Sequence, residues 1–194
     1  MYKPNILVII PAFNEAKTIE RVLKVAHQYG DVLVMDDAST DSTKEIAIKS
    51  NAKVISNKTN LGYENNLSKG IAYACSQKHY KYFLTIDADG EHDANDIQNF
   101  LKDLKSGFHL VCGNRCSKNR ISEKVWGFVA NLLYGIKDPL CGLKGYSSEF
   151  VSKILLSREI NILGSHIGTY LTKIMINNNC SYSNINITVS KREG

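Results

Sequence analysis

Apolar positions along the chain follow two alternating rhythms. Short continuous runs at Ile6–Ile10, Val32–Met35, Lys53–Ser56, Tyr82–Ile86 and Leu110–Gly113 predict strands, the first of them buried on both faces. Pro11 is expected to end the first strand and Asp36-Asp37 the second. Between the runs the spacing changes to that of helices. Ala16, Ile19, Val22, Leu23 and Ala26 share one helical face, with Asn14 as the expected cap. Ser42 and Glu45 have capping-box spacing ahead of the next helix. Asn65–Ser76, the stretch carrying Ile97, Phe100, Leu101 and Leu104, and Ser122–Ile136 predict further helices. The last third reads as helices followed by a strand near Ile185–Val189.

This alternation predicts an α/β fold, a mostly parallel central sheet flanked by helices. Such open sheets bind ligands beyond the carboxyl ends of their strands. Polar residues follow the apolar runs at those ends: Phe13-Asn14-Glu15, Asp36-Asp37, Asp87-Ala88-Asp89 and Asn114-Arg115. Several strands therefore aim their chemistry at one edge.

Composition narrows the class. At 194 residues, 43% hydrophobic and 22% charged, the chain fits one soluble globular domain. No apolar run approaches the ~18 residues of a membrane span, and no signal peptide leads the chain. The net charge of +5 is mild and its lysines and arginines are scattered, without the aromatic-basic array expected of a nucleic-acid binder. Five cysteines in no disulfide pattern suggest reduced thiols in the cytoplasm. Cys112 and Cys116 have the spacing of a metal pair but lack the second pair of a structural zinc site.

The Asp-x-Asp turn after Ile86 carries the most specific chemistry. Two neighbouring carboxylates, Asp87 and Asp89, repel each other unless a cation or proton neutralises them. Hard oxygens suit Mg²⁺ or Mn²⁺ shared with substrate phosphates. Gly90 permits a tight turn, and Glu91 or His92 could add a ligand. Alternatively the stretch is an acidic loop in which Asp93 caps the helix at Ala94. An EF-hand fails, because His92 and Gln98 stand where Gly and Glu are needed. A haloacid-dehalogenase-like phosphatase with Asp87 as nucleophile stays as an alternative, although Glu91 is unusual for it and the motif lies far from the N-terminus. A non-catalytic sugar-nucleotide binder is a third reading.

Taken in order, VIIPAFNEAKTIERVL, VMDDASTDST, NLGYENNLSKGIAYA, LTIDADGEHD, CGNR and DPLCGLKGY resemble glycosyltransferase family 2, nearest to its dolichol-phosphate mannose synthase-like branch. The resemblance spans almost the whole chain. It implies a single GT-A domain over 1–194, with a nucleotide-binding half of about 1–115 and an acceptor half of about 116–194. It also implies a nucleotide-diphosphate sugar donor, a divalent metal (Mn²⁺ or Mg²⁺) and inversion at the anomeric carbon. On this resemblance Pro11, Phe13 and Glu15 form the first nucleotide-contacting loop, and Asp36 and Asp37 approach base and ribose. Asp87 and Asp89 hold the metal, with Glu91 where relatives often carry Gln. Arg115 stands near the donor phosphates, and Lys191 or Arg192 matches a basic residue that closes over them. Arg120 could also pair a phosphate. Relatives continue past this point, so a truncated chain with a membrane-binding tail beyond Gly194 is an expectation.

The implied acceptor is a polyprenyl phosphate or a surface glycan. Asp138 matches an acidic residue on the acceptor side: a general base for a hydroxyl acceptor, or an orienting group for a phosphate that needs no base. Leu140-Cys141-Gly142-Leu143-Lys144 departs from the Thr-Ser-Gly-Phe-Arg-like stretch of mannose synthases, and Ser165–Thr169 from their later acidic helix, where His166 could face the acceptor. Peripheral association with the inner face of the membrane follows from a lipid acceptor. Oligomeric state is not legible.

Overall fold

A computed structural model describes residues 5–115, 121–158 and 167–190. Strands β1 (Ile6–Ala12), β2 (Asp31–Asp36), β3 (Lys53–Ser56), β4 (Tyr82–Thr85), β5 (Leu110–Arg115), β6 (Lys144–Ser147) and β7 (Tyr182–Ile187) form one sheet in the order β3-β2-β1-β4-β6-β5-β7. Helices α1 (Ile19–Ala26), α2 (Thr43–Lys49), α3 (Tyr63–Ser76), α4 (Ile97–Lys105), α5 (Ile121–Tyr134), α6 (Ser148–Arg158) and α7 (Ile167–Asn177) connect them.

β1 lies at the centre of the parallel part. Ile6, Val8, Ile10 and Ala12 enter the core on one face with α1 and α4, whereas Leu7 and Ile9 enter the other with α3 and α7. Burial on both faces explains why the run is continuously apolar. α1 buries Ile19, Val22, Leu23 and Ala26 and exposes its charges, as its spacing requires.

Several expectations need correction. Pro11 does not end β1, because it pairs with Met35 and the strand continues to Ala12. The carbonyl of Ile9 accepts from the Ile86 N–H, so Pro11, two residues on, turns its nitrogen toward the same neighbour. The β1–β4 pairing has stopped by then, its last pair being Ile9 with Thr85, and the missing N–H costs no ladder bond. Asp36 belongs to β2 rather than ending it, and β5 runs through Asn114 to Arg115.

Asn14 does not cap α1. It adopts φ 56°, and its side-chain oxygen accepts from the Thr40 N–H at 2.8 Å, tying two loops together. Ser42 makes no cap hydrogen bond either. Asp41 takes that place by accepting from the Thr43 N–H at 3.0 Å. Asp93 does cap the turn at Ala94–Asp96, accepting from the Asn95 N–H at 2.9 Å.

β6 has no counterpart in the sequence reading. It runs antiparallel to both β4 and β5 and separates them. β7 pairs in parallel with β5 and begins at Tyr182, three residues before the expected Ile185.

Candidate active site

The carboxyl ends of β1, β2 and β4 open onto a cleft of about 420 Å³. Pro11, Ala12, Phe13, Glu15, Asp37, Asp87, Ala88 and Asp89 line it, joined by Asn60, Gly62, Tyr63 and Asn66 from the approach to α3 and its first turn. Phe13 is 45% exposed, leaving an aromatic face free at the wall.

Asp37 organises this rim. Its carboxylate is buried and accepts from Asn57 Nδ2 (2.8 Å) and from the backbone N–H groups of Leu61 and Gly62 (both 2.9 Å). Asp36 is not part of the cleft lining. It is also buried, and it accepts from the Ser39 N–H at 3.1 Å, so it shapes the loop that presents Asp37. The pair expected to act together divides into a rim residue and its support.

Asp87 is held from several sides. Tyr63 donates its hydroxyl to Oδ1 at 2.7 Å, and His92 Nε2 stands 3.3 Å from Oδ2. His92 is buried, and its Nδ1 has no partner among the described residues. With Nε2 protonated, the ring donates to Asp87. A Cβ on Gly142 would collide with the Asp87 carboxylate, so the loop after Asp138 presses bare backbone against it. Burial works to raise the Asp87 pKa. His92, the Tyr63 hydroxyl and the Lys144 charge outweigh it and hold the carboxyl below its ordinary value. Desolvation and the Asp87 charge push the Tyr63 phenol well above 10. Nearly half of Tyr63 faces solvent, so the neighbouring carboxylate is the firmer cause, and the hydroxyl remains a donor.

Lys144 is buried and donates Nζ to the carbonyls of Pro139 (3.0 Å) and Cys141 (2.6 Å). It braces the 138–142 loop from below. That loop also carries Asp138, which is 2% exposed and paired through both oxygens with the Arg115 guanidinium, at 2.7 Å and 3.2 Å. Arg115 is thus a partner of Asp138 rather than a solvated charge.

Asp89 accepts from the Glu91 N–H at 3.0 Å, which closes the turn around Gly90 at φ 71°. Among the described residues no three His, Cys, Asp or Glu side chains converge on a metal position, so Glu91 does not complete a cage with the two aspartates. The donor set nevertheless fits a hard divalent cation that shares its coordination with substrate oxygens and water. It does not fit a structural zinc site, and Cys116 lies outside the described residues. Lys191, Arg192, Arg120 and His166 also lie outside them. Ser190 donates its N–H to the Glu91 carbonyl at 2.8 Å, and Val189 bridges His92, so the segment leading to Lys191 is laid along the acidic turn.

Sequence reasoning placed the acidic residues but not the roles of Tyr63, Lys144 and Gly142. The available signal was the pair of Gly-containing segments NLGYEN and LCGLKG flanking Asp87 in space.

Known proteins resemble this chain over most of its length. Residues 7–160 match the family model described as Glycosyl transferase family 2. An uncharacterized protein of Methanocaldococcus jannaschii is 32% identical over 198 residues, covering 90% of this chain and 81% of that one. A polyprenol monophosphomannose synthase of Mycolicibacterium smegmatis is 26% identical over 210 residues, covering 96% and 78%. Among solved structures, glucosyl-3-phosphoglycerate synthase from Mycobacterium tuberculosis, in complex with Mn²⁺, UDP and glucosyl-3-phosphoglycerate, superposes with a TM-score of 0.72. That match has 23% identity and covers 97% of this chain and 72% of that one. The fold is therefore GT-A, and the phosphatase alternative falls. The chain belongs to glycosyl transferase family 2 and is a glycosyltransferase.

Proposed function

We propose that the protein moves a sugar, with inversion, from a nucleotide-diphosphate donor to a polyprenyl-phosphate or surface-glycan acceptor, in a reaction that depends on Mn²⁺ or Mg²⁺. The observation that carries this reading is the convergence of Asp37, Asp87 and Asp89 with the exposed ring of Phe13 on one cleft. Pro11, Phe13 and Glu15 form the wall against which a nucleoside would lie, and Asp37 stands at its polar rim. Asp87 and Asp89 would hold the cation, which supplies Lewis-acid stabilisation to the departing diphosphate. Lys191 and Arg192, which follow Ser190 in the sequence, are the cations suited to the donor phosphates.

The Arg115–Asp138 pair bears on the acceptor. Both oxygens of Asp138 are already engaged by the Arg115 guanidinium, so the carboxylate is committed to holding that cation in place. An acceptor that is already an anion needs no base. Asp138 then orients Arg115 toward a phosphate rather than removing a proton, which favours the lipid phosphate over the glycan. The M. smegmatis relative is named for such an acceptor.

Peripheral membrane association fits the same reading. Phe128, Leu132 and Leu133 on α5 and Leu140 beside the site are between 48% and 75% exposed. No helix among the described residues is long and apolar enough to cross a membrane.

Thermal-shift screening with UDP, GDP, CDP and dTDP plus Mn²⁺ identifies the base, and turnover of the matching nucleotide sugar with a short polyprenyl phosphate tests the reaction. We expect transfer that chelator abolishes and that Asp89→Asn lowers at least a hundredfold. Transfer that persists in Asp89→Asn or without metal overturns the scheme. Tight nucleotide binding without turnover favours a non-catalytic binder.

A further inference from the structure

The hydroxyl of Tyr63 makes the shortest hydrogen bond to Asp87, across 24 positions of sequence. The tyrosine is delivered to that point by a fixed backbone. Asp37 holds the Gly62 N–H, Gly62 turns the chain at φ 81°, and Tyr63 is the first residue of α3. Its ring lines the main cleft on one side. On the other it lines a slot of about 40 Å³ bounded by Glu64, Pro139, Leu140 and Gly142.

A carboxylate with one donor on each oxygen cannot rotate about its Cβ–Cγ bond without losing both. Tyr63 on Oδ1 and His92 opposite Oδ2 set the plane of Asp87, and Gly142 closes a further side. Each oxygen retains acceptor capacity for another partner. Of the two donors, Tyr63 is the one that a substitution can remove without opening the core, because it is 45% exposed whereas His92 is buried.

We propose that Tyr63 is a positioning residue for the cation-binding carboxylate: its hydroxyl fixes Asp87 in the orientation that receives the metal–nucleotide pair. The inference rests on the reading above, in which Asp87 serves the metal. Partners of this kind, one step removed from the ion, are worth about 10- to 100-fold in metal affinity.

The test is Tyr63→Phe, which keeps the ring and deletes the hydroxyl. Free Mn²⁺ is counted by electron paramagnetic resonance during titration, with the nucleotide that stabilises the wild type present. We expect Mn²⁺ affinity to fall about tenfold, while circular dichroism and the thermal midpoint stay those of the wild type. A double-mutant cycle separates positioning from ring packing. In an Asp87→Asn background, Tyr63→Phe is expected to cost nothing further, whereas a loss caused by ring packing would persist there. Equal Mn²⁺ affinity in Tyr63→Phe and wild type overturns the inference and leaves the transferase reading intact. No metal-dependent nucleotide binding by the wild type removes the reading on which it rests.

Discussion

Gly142 shows how much of this site depends on an atom that is missing. A methyl group there would overlap the Asp87 carboxylate, so Gly142→Ala must move either the loop or the aspartate. The expected cost is about 1–3 kcal/mol by analogy with overpacked interiors, read from urea denaturation, together with loss of metal-dependent nucleotide binding. A variant that binds and unfolds like the wild type would show that the loop yields freely. Asp87 and Asp89 were legible because polar residues at the end of an apolar run stand out in one dimension. The groups that hold Asp87 were not. Tyr63 and Gly142 approach it from distant parts of the chain, and nothing local marks a tyrosine hydroxyl as a carboxylate donor. Asp36 and Asp37 look equivalent in sequence, and only the alternation of a strand turns one toward the rim and the other toward its support.

Elements marked by helical periodicity or by a continuous apolar run were found with small boundary errors, whereas the antiparallel strand β6 was missed. β6 is four residues containing a glycine and a buried lysine, and neither residue reads as strand. Lys144 is tolerated because two carbonyls receive its charge. α2 illustrates a cap displaced by one residue. Asp41 accepts from the Thr43 N–H and hydroxyl and from the Ala16 N–H, joining α2 to the loop after β1. Partial burial acts to raise its pKa, but these hydrogen bonds prevail and lower it below 3.8. The stabilisation is therefore complete above that value and is lost as pH falls through the lowered pKa. Asp41→Ala should cost about 1 kcal/mol near neutrality, with the gap from wild type narrowing in acid. A gap that widened as pH fell would contradict the assignment.

At the scale of the whole molecule, the strand–helix alternation announced an α/β sheet but not its order. β5 follows β4 among the predicted strands, yet in the sheet β6 sits between them. The inserted strand joins the segments before and after residue 115 into one sheet and one pair of cores. A fragment ending at Arg115 would leave β4 and β5 without their shared neighbour. We expect such a fragment not to fold, and the full chain to unfold with coincident far-ultraviolet dichroism and tyrosine fluorescence transitions. Separate transitions would indicate two independent units. The contact between Ser190 and Glu91 has a practical corollary for anyone handling this enzyme. Ser190 itself stands beside the acidic turn, so a small dye attached at that position would report nucleotide arrival through its colour or brightness.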